Sequence, residues 1–221
     1  MWFSSGNIFE WNDSKDPAKV LYHIMKLPVD GVELTFARTK ELFAFSPDKH
    51  QVSWLKGRVG LHAPMLSRFG ESREGVAERL DHWAKKLDAR YVVCHPTDMP
   101  DGKVKGMAVE NLSPRWKIDI DQFERIAGDH KVVIDVSHAV QWGPYEIKKY
   151  VERFYDRIAA VHFSYLHKGK DFRKYDWFEE AILPLKWLSV PFVIESPMPL
   201  GTDLASEISV CKELLEKTIA R

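Results

Sequence analysis

Short apolar runs recur along the chain at Trp2–Ser4, Gly31–Phe36, Val59–His62, Tyr91–His95, Met107–Asn111, Val132–Asp135, Ile158–Phe163 and Pro191–Glu195. Several are rich in Val and Ile and almost unbroken in hydrophobicity, the pattern of parallel strands covered by helices. Stretches with helical spacing lie between most of them. Asp16–Leu27 carries Pro17 just inside its start, where a missing N–H costs nothing. Thr39–Lys56 is interrupted at Pro47, and Glu71–Leu87 puts Val76, Leu80, Trp83 and Leu87 on one face. Asp119–Ala127, Pro144–Phe154, Asp176–Leu185 and Asp203–Ile219 complete the set.

Strand alternating with helix predicts a parallel α/β fold. The strand count predicts closure into a (β/α)8 TIM barrel, one domain over residues 1–221. One connection departs from the pattern. The run PTDMPDGKVKG after His95 is shorter than the roughly dozen residues a parallel crossover needs, and it holds Pro96, Pro100, Gly102 and Gly106. An extended loop is therefore expected in place of the fourth helix.

Composition adds bounds. In 221 residues, 45% are apolar and 29% charged with no net charge, which suits a globular core and gives no global attraction to nucleic acid or anionic membrane. Two distant cysteines, Cys94 and Cys211, argue against a disulfide scaffold. The N-terminal residues lack a leader pattern and no run is long enough to span a bilayer, so a cytoplasmic protein with no membrane partner is expected. Nothing in the sequence bears on oligomeric state.

The later strands each end in a metal-ligand type: His62, His95, Glu110, Asp135, His162 and Glu195. Barrel active sites form where strand C-termini converge. A single strand-end His is commonly a hydrogen-bonded structural residue, but a carboxylate there is costly unless paired or metal-bound. Six such residues in consecutive strands point to a divalent metal, and the imidazole and carboxylate mixture favours zinc, with manganese second, over calcium.

This run of motifs resembles the xylose-isomerase-like barrel superfamily, which includes endonuclease IV and many sugar isomerases and epimerases. The resemblance covers nearly the whole chain. Carried over from endonuclease IV, it implies one zinc on His62, His95 and Glu110, and a second on Glu110, Asp135, His162 and Glu195. It makes His138 and Asp171 candidates for a third ion, although Arg173 stands where that family has a His, and His167 has the wrong spacing to replace it. A two-metal site is thus expected.

Two enzyme readings follow. In the first, two metals hydrolyse a phosphodiester, abasic-site DNA or a related phosphoester, with Glu110 bridging and Arg173 or Lys168 steadying phosphate. Arg38, Met65 and Leu66 are then candidate wedge residues for an extruded nucleotide. In the second, one metal serves a sugar or sugar-phosphate isomerase or epimerase, with Glu110 and Glu195 as acid and base and His138 on the substrate. That chemistry has no need of His62 and His95 as ligands. A third reading is a metal-binding barrel without catalysis. Trp116, with Arg115, is placed to line the site. Glu33, inside the second strand, is expected either to reach the site or to pair with a core cation. Cys94 should face away from His95 by strand alternation, and His23, His50, His82 and His130 are expected to be solvated.

Overall fold

The computed structural model describes residues 1–11, 17–167, 169–196 and 198–219. Eight parallel strands close into a barrel: β1 Trp2–Ser4, β2 Gly31–Thr35, β3 Val59–His62, β4 Val92–Cys94, β5 Met107–Glu110, β6 Lys131–Asp135, β7 Ile158–Phe163 and β8 Phe192–Ile194. They pair in chain order, and β8 pairs with β1 to close the ring. The (β/α)8 TIM barrel is the fold of this chain.

Strand register explains how the interior is filled. Successive side chains alternate between the axis and the surrounding helices. Trp2, Tyr91, Val93, Ala108, Val133, Ala160 and Val193 form the inner cluster, while strand residues such as Phe3, Val32, Leu61, Val109, Ile134 and Phe163 join the larger core under the helices. Trp2 and Tyr91 stack with ring centroids 6.0 Å apart and fill the floor of the barrel. Their bulk requires glycine beside them. A Cβ on Gly31 would lie 2.4 Å from the Trp2 ring, and one on Gly60 would lie 2.5 Å from the Tyr91 ring.

The helices follow the sequence with informative differences. Pro47 divides the second helical stretch into Thr39–Ala44 and Lys49–Leu55, the latter capped by Asp48 with Gln51 in a reciprocal box. Asp119 and Gln122 cap Ile120–Ala127 in the same way. The helix expected from Glu71 starts at Val76, because Gly70 and Gly75 adopt left-handed φ values of 61° and 69° and break the run. The helix expected over 176–185 is α-helical only at Phe178–Ile182, then tightens into a 3-10 turn over Leu183–Trp187 around Pro184. The first helix is described from Pro17 onward, so its expected start at Asp16 lies outside the described residues.

No helix joins β4 to β5, in line with the composition of that segment. The loop is instead tied down through hydrogen bonds. Asp98 accepts from the Ser67 N–H at 2.6 Å, Arg73 donates to the Thr97 carbonyl at 3.2 Å, and the Lys105 N–H reaches Asp81 at 3.0 Å. Cys94 faces the helix layer, buried against Met99. At the opposite seam, the Asn7 side chain donates to the Ile194 carbonyl and accepts from the Ser196 N–H, locking the chain after β1 onto the end of β8. No described helix is long and apolar enough to cross a membrane.

Candidate metal centre

The six strand-end residues converge because their strands share one register. Thr35 pairs with His62, His62 with Val93, Glu110 with Val133, and Asp135 with His162, so their side chains occupy the top of the barrel. Glu110 is the hub. Its Oε2 lies 3.2 Å from His62 Nε2, 3.5 Å from His95 Nε2 and 3.5 Å from His162 Nδ1. Its Oε1 lies 3.3 Å from His138 Nδ1. His162 Nδ1 is also 2.5 Å from Glu195 Oε2.

Local hydrogen bonds fix the donors. His62 gives its Nδ1–H to the Ala63 carbonyl at 3.1 Å, which turns Nε2 inward. Asp135 starts the one-turn helix Val136–Ala139, and its Oδ1 is taken by the Ser137 hydroxyl at 2.8 Å and the His138 N–H at 2.7 Å. Oδ2 is left facing the site. Asn111 clamps the same residue, accepting from the Asp135 N–H and donating to its carbonyl.

Donor atoms form three groups close enough to hold a divalent ion: His62, His95 and Glu110; Glu110, Asp135, His162 and Glu195; and Glu33, His62, His162 and Glu195. The first two have Glu110 in common. Two observations support the fit. His162 Nδ1 and Glu195 Oε2 are buried and close, yet neither makes a hydrogen bond among the described residues. Lone pairs left in this way point to a shared electrophile. Among the described residues, no Lys or Arg ion-pairs with Glu33, Glu110, Asp135 or Glu195, whose only charge partners are imidazoles.

The electrostatics agree. Burial pulls His62 and His138 down, but the facing carboxylates outweigh it: Glu110 pushes His62 up to about 9, and Asp135 with Glu110 pushes His138 up to about 9. Burial raises Glu110, yet His95 and His162 hold it well below the usual carboxylate range. Asp135 is raised, chiefly by burial. Without a metal, the facing carboxylates favour the protonated form of His62 and His138.

A cavity of about 360 Å³ opens above these donors, walled by Phe36, Met65, Leu112 and Trp116, with Arg68 and Arg115 at its mouth. Trp116 and His138 line it. Several sequence candidates do not. Arg173 forks onto Asp171 at 2.9 and 2.8 Å and lies 3.9 Å from the Tyr165 ring centroid, so both groups are engaged away from the cavity. Asp171 does not join any of the donor groups. Arg38 lies over Phe69, 4.4 Å from its centroid, and Leu66 is buried in the core. Lys168 lies outside the described residues. His167, set aside on spacing, lines the cavity with its ring 5.9 Å from that of His138. His23, His50, His82 and His130 are exposed. Sequence reasoning missed Asn111, Ser137, Asp98 and Arg68. The only signal for the first two was adjacency to Glu110 and Asp135.

No family model and no curated protein matches the sequence. Solved structures match the fold over almost the whole chain. Endonuclease IV from Thermus thermophilus superposes with a TM-score of 0.64 at 17% identity, covering 98% of each chain. A sugar phosphate isomerase/epimerase from Parabacteroides distasonis gives 0.57 at 14% identity, again covering 98% of each. D-psicose 3-epimerase from Clostridium cellulolyticum, solved with D-tagatose, gives 0.54 at 14%, covering 99% of this chain and 94% of that one. The chain therefore shares the (β/α)8 barrel fold of these proteins.

Proposed function

We propose that this protein is a divalent-metal-dependent phosphodiester hydrolase with a two-metal site, acting on abasic-site DNA or a related phosphoester. The observation that carries the reading is the sharing of Glu110 between two donor groups, one of which consists otherwise of His62 and His95. A one-metal isomerase does not need that imidazole pair as ligands. Zinc suits the mixed donors best, and manganese next.

Two divalent ions, when bound, lower the pKa of water and offset charge on an attacked phosphoryl group. The chain's own residues do the positioning. Glu110 is the shared carboxylate. Ser137 and the His138 N–H hold Asp135 in one orientation. His138 gives its Nδ1–H to the Asn111 carbonyl at 3.0 Å, so in the neutral ring Nε2 is the atom that can take up a proton. Arg68 and Arg115 bring positive charge to the mouth for phosphate. Trp116, 38% exposed, offers a face on which a base or sugar can stack. Cys94 and Cys211 are both free and buried, which suits a reducing cytoplasm.

A second reading rests on the cavity itself, whose 360 Å³ suits one sugar. There, Glu110 and Glu195 would exchange the substrate proton in an isomerase or epimerase. Paired assays with and without chelator separate the readings. Metal-dependent nicking of an abasic-site oligonucleotide supports hydrolysis. Isomerised product from a panel of ketoses, aldoses and their phosphates, without nicking, replaces it.

A further inference from the structure

Glu33 lies inside the barrel one layer below the metal donors, paired in register with Ser4 on one side and Gly60 on the other. It is fully enclosed. A carboxylate in such a place is costly unless something requires it. Its Oε2 sits 2.9 Å from Nε2 of His162, and no Lys or Arg ion-pairs with it among the described residues. Its other oxygen has no hydrogen-bond partner among those residues. Burial, with the Glu33 charge beside it, holds the Tyr91 hydroxyl well above its ordinary range, so Tyr91 is a neutral neighbour and not a counter-charge.

The two nitrogens of His162 face opposite ways. Nε2 faces Glu33 below. Nδ1 faces Glu195 and Glu110 above, at 2.5 and 3.5 Å. A neutral imidazole carries one proton. With that proton on Nε2, the Nδ1 lone pair is open to a metal; with it on Nδ1, the ligand is closed.

We propose that Glu33 is a positioning residue that holds His162 in its Nε2–H tautomer and so aims Nδ1 at the ion shared with Glu110, Asp135 and Glu195. The inference rests on the metal-centre reading but not on which reaction occurs there. It also accounts for a buried acid that neither enzyme mechanism uses. The competing arrangement is direct ligation, since donor atoms of Glu33, His62, His162 and Glu195 also lie within 4.8 Å of one another. Carboxylates that orient a ligating imidazole in this way are common, and removing one weakens metal binding by about 10–100-fold.

The test uses the full chain loaded with zinc. In ¹⁵N-histidine-labelled wild-type protein, long-range ¹H–¹⁵N spectra should show His162 protonated at Nε2 and metal-bound at Nδ1. Nδ1–H, or metal on Nε2, overturns the proposal, and this outcome needs no variant to fold. Zinc titration against a chromophoric chelator then compares Glu33→Gln and Glu33→Ala. Both should keep the wild-type number of zinc ions, with the affinity of one ion falling about 10–100-fold in Glu33→Ala and less in Glu33→Gln, which retains an acceptor oxygen. Loss of a whole equivalent in both variants identifies Glu33 as a ligand and overturns the proposal, as does unchanged affinity. Zinc uptake with the expected tautomer but no nicking overturns only the hydrolase reading. Absence of zinc uptake by the wild type overturns both.

Discussion

Asn111 and Asp135 are joined by a reciprocal clamp: the Asp135 N–H donates to Asn111 Oδ1 at 2.6 Å, and Asn111 Nδ2 donates to the Asp135 carbonyl at 3.2 Å. The clamp is buried and ties the end of β5 to the end of β6, where two of the donors sit. Asn111→Ala leaves a buried N–H without its partner, a loss of about 1–3 kcal/mol. We predict that urea unfolding will show this loss, with weaker zinc binding beside it. Unchanged stability and affinity would show the clamp to be idle.

The donor groups make distinct predictions for metal content. Elemental analysis should find two zinc or manganese equivalents in the wild type and one in His62→Ala. Glu110→Ala should lose both, because both groups use it. Activity, whichever substrate proves right, should fall by at least about 100-fold in Glu110→Ala, the scale of losing a principal catalytic group. Two equivalents retained in His62→Ala would remove the basis for the dinuclear site.

The imidazoles predict opposite pH trends for the metal-free and loaded protein. His62 and His138 are pushed up to about 9 from an ordinary 6.5. A group raised on folding stabilises the protein fully below its unfolded value and loses that contribution as pH rises through the folded value. Metal-free protein should therefore be more stable at about pH 6.5 than at about pH 9.5 in thermal melts. Zinc competes with the His62 proton, so zinc affinity should rise between those values, with proton release visible in calorimetry across buffers of different ionisation enthalpy. A flat affinity over that range would contradict the carboxylate-raised imidazoles.

Gly60→Ala should destabilise by about 1–3 kcal/mol, the usual cost of overpacking. The added methyl would meet the Tyr91 ring at 2.5 Å, with the barrel wall behind it. A shifted urea midpoint with unchanged slope is the expected signature. A wild-type midpoint would mean the floor can give way.

Arg115 and Arg173 should separate cleanly. Arg173 is forked onto Asp171 outside the cavity, whereas Arg115 lines its mouth. Arg115→Ala should raise KM about tenfold, the loss of one charge-assisted hydrogen bond, while Arg173→Ala should leave kcat/KM nearly unchanged. The reverse result would place substrate binding outside this cavity, at Arg173.

What the sequence determined by itself was periodic. Apolar runs with turn residues between them specify strands and helices locally, and a ligand type at the end of each later strand is a fact of position. The barrel and the missing fourth helix were therefore legible, as was the gathering of His62, His95, Glu110, Asp135, His162 and Glu195 in one place. Tertiary structure decided what depends on register and on side-chain direction. It brought Glu33 under His162 from 129 positions away, turned Arg173 onto Asp171, laid Arg38 over Phe69 and buried Leu66. No local pattern encodes these outcomes, because each is settled by which neighbour offers the nearest opposite charge, ring or apolar wall once the barrel has closed.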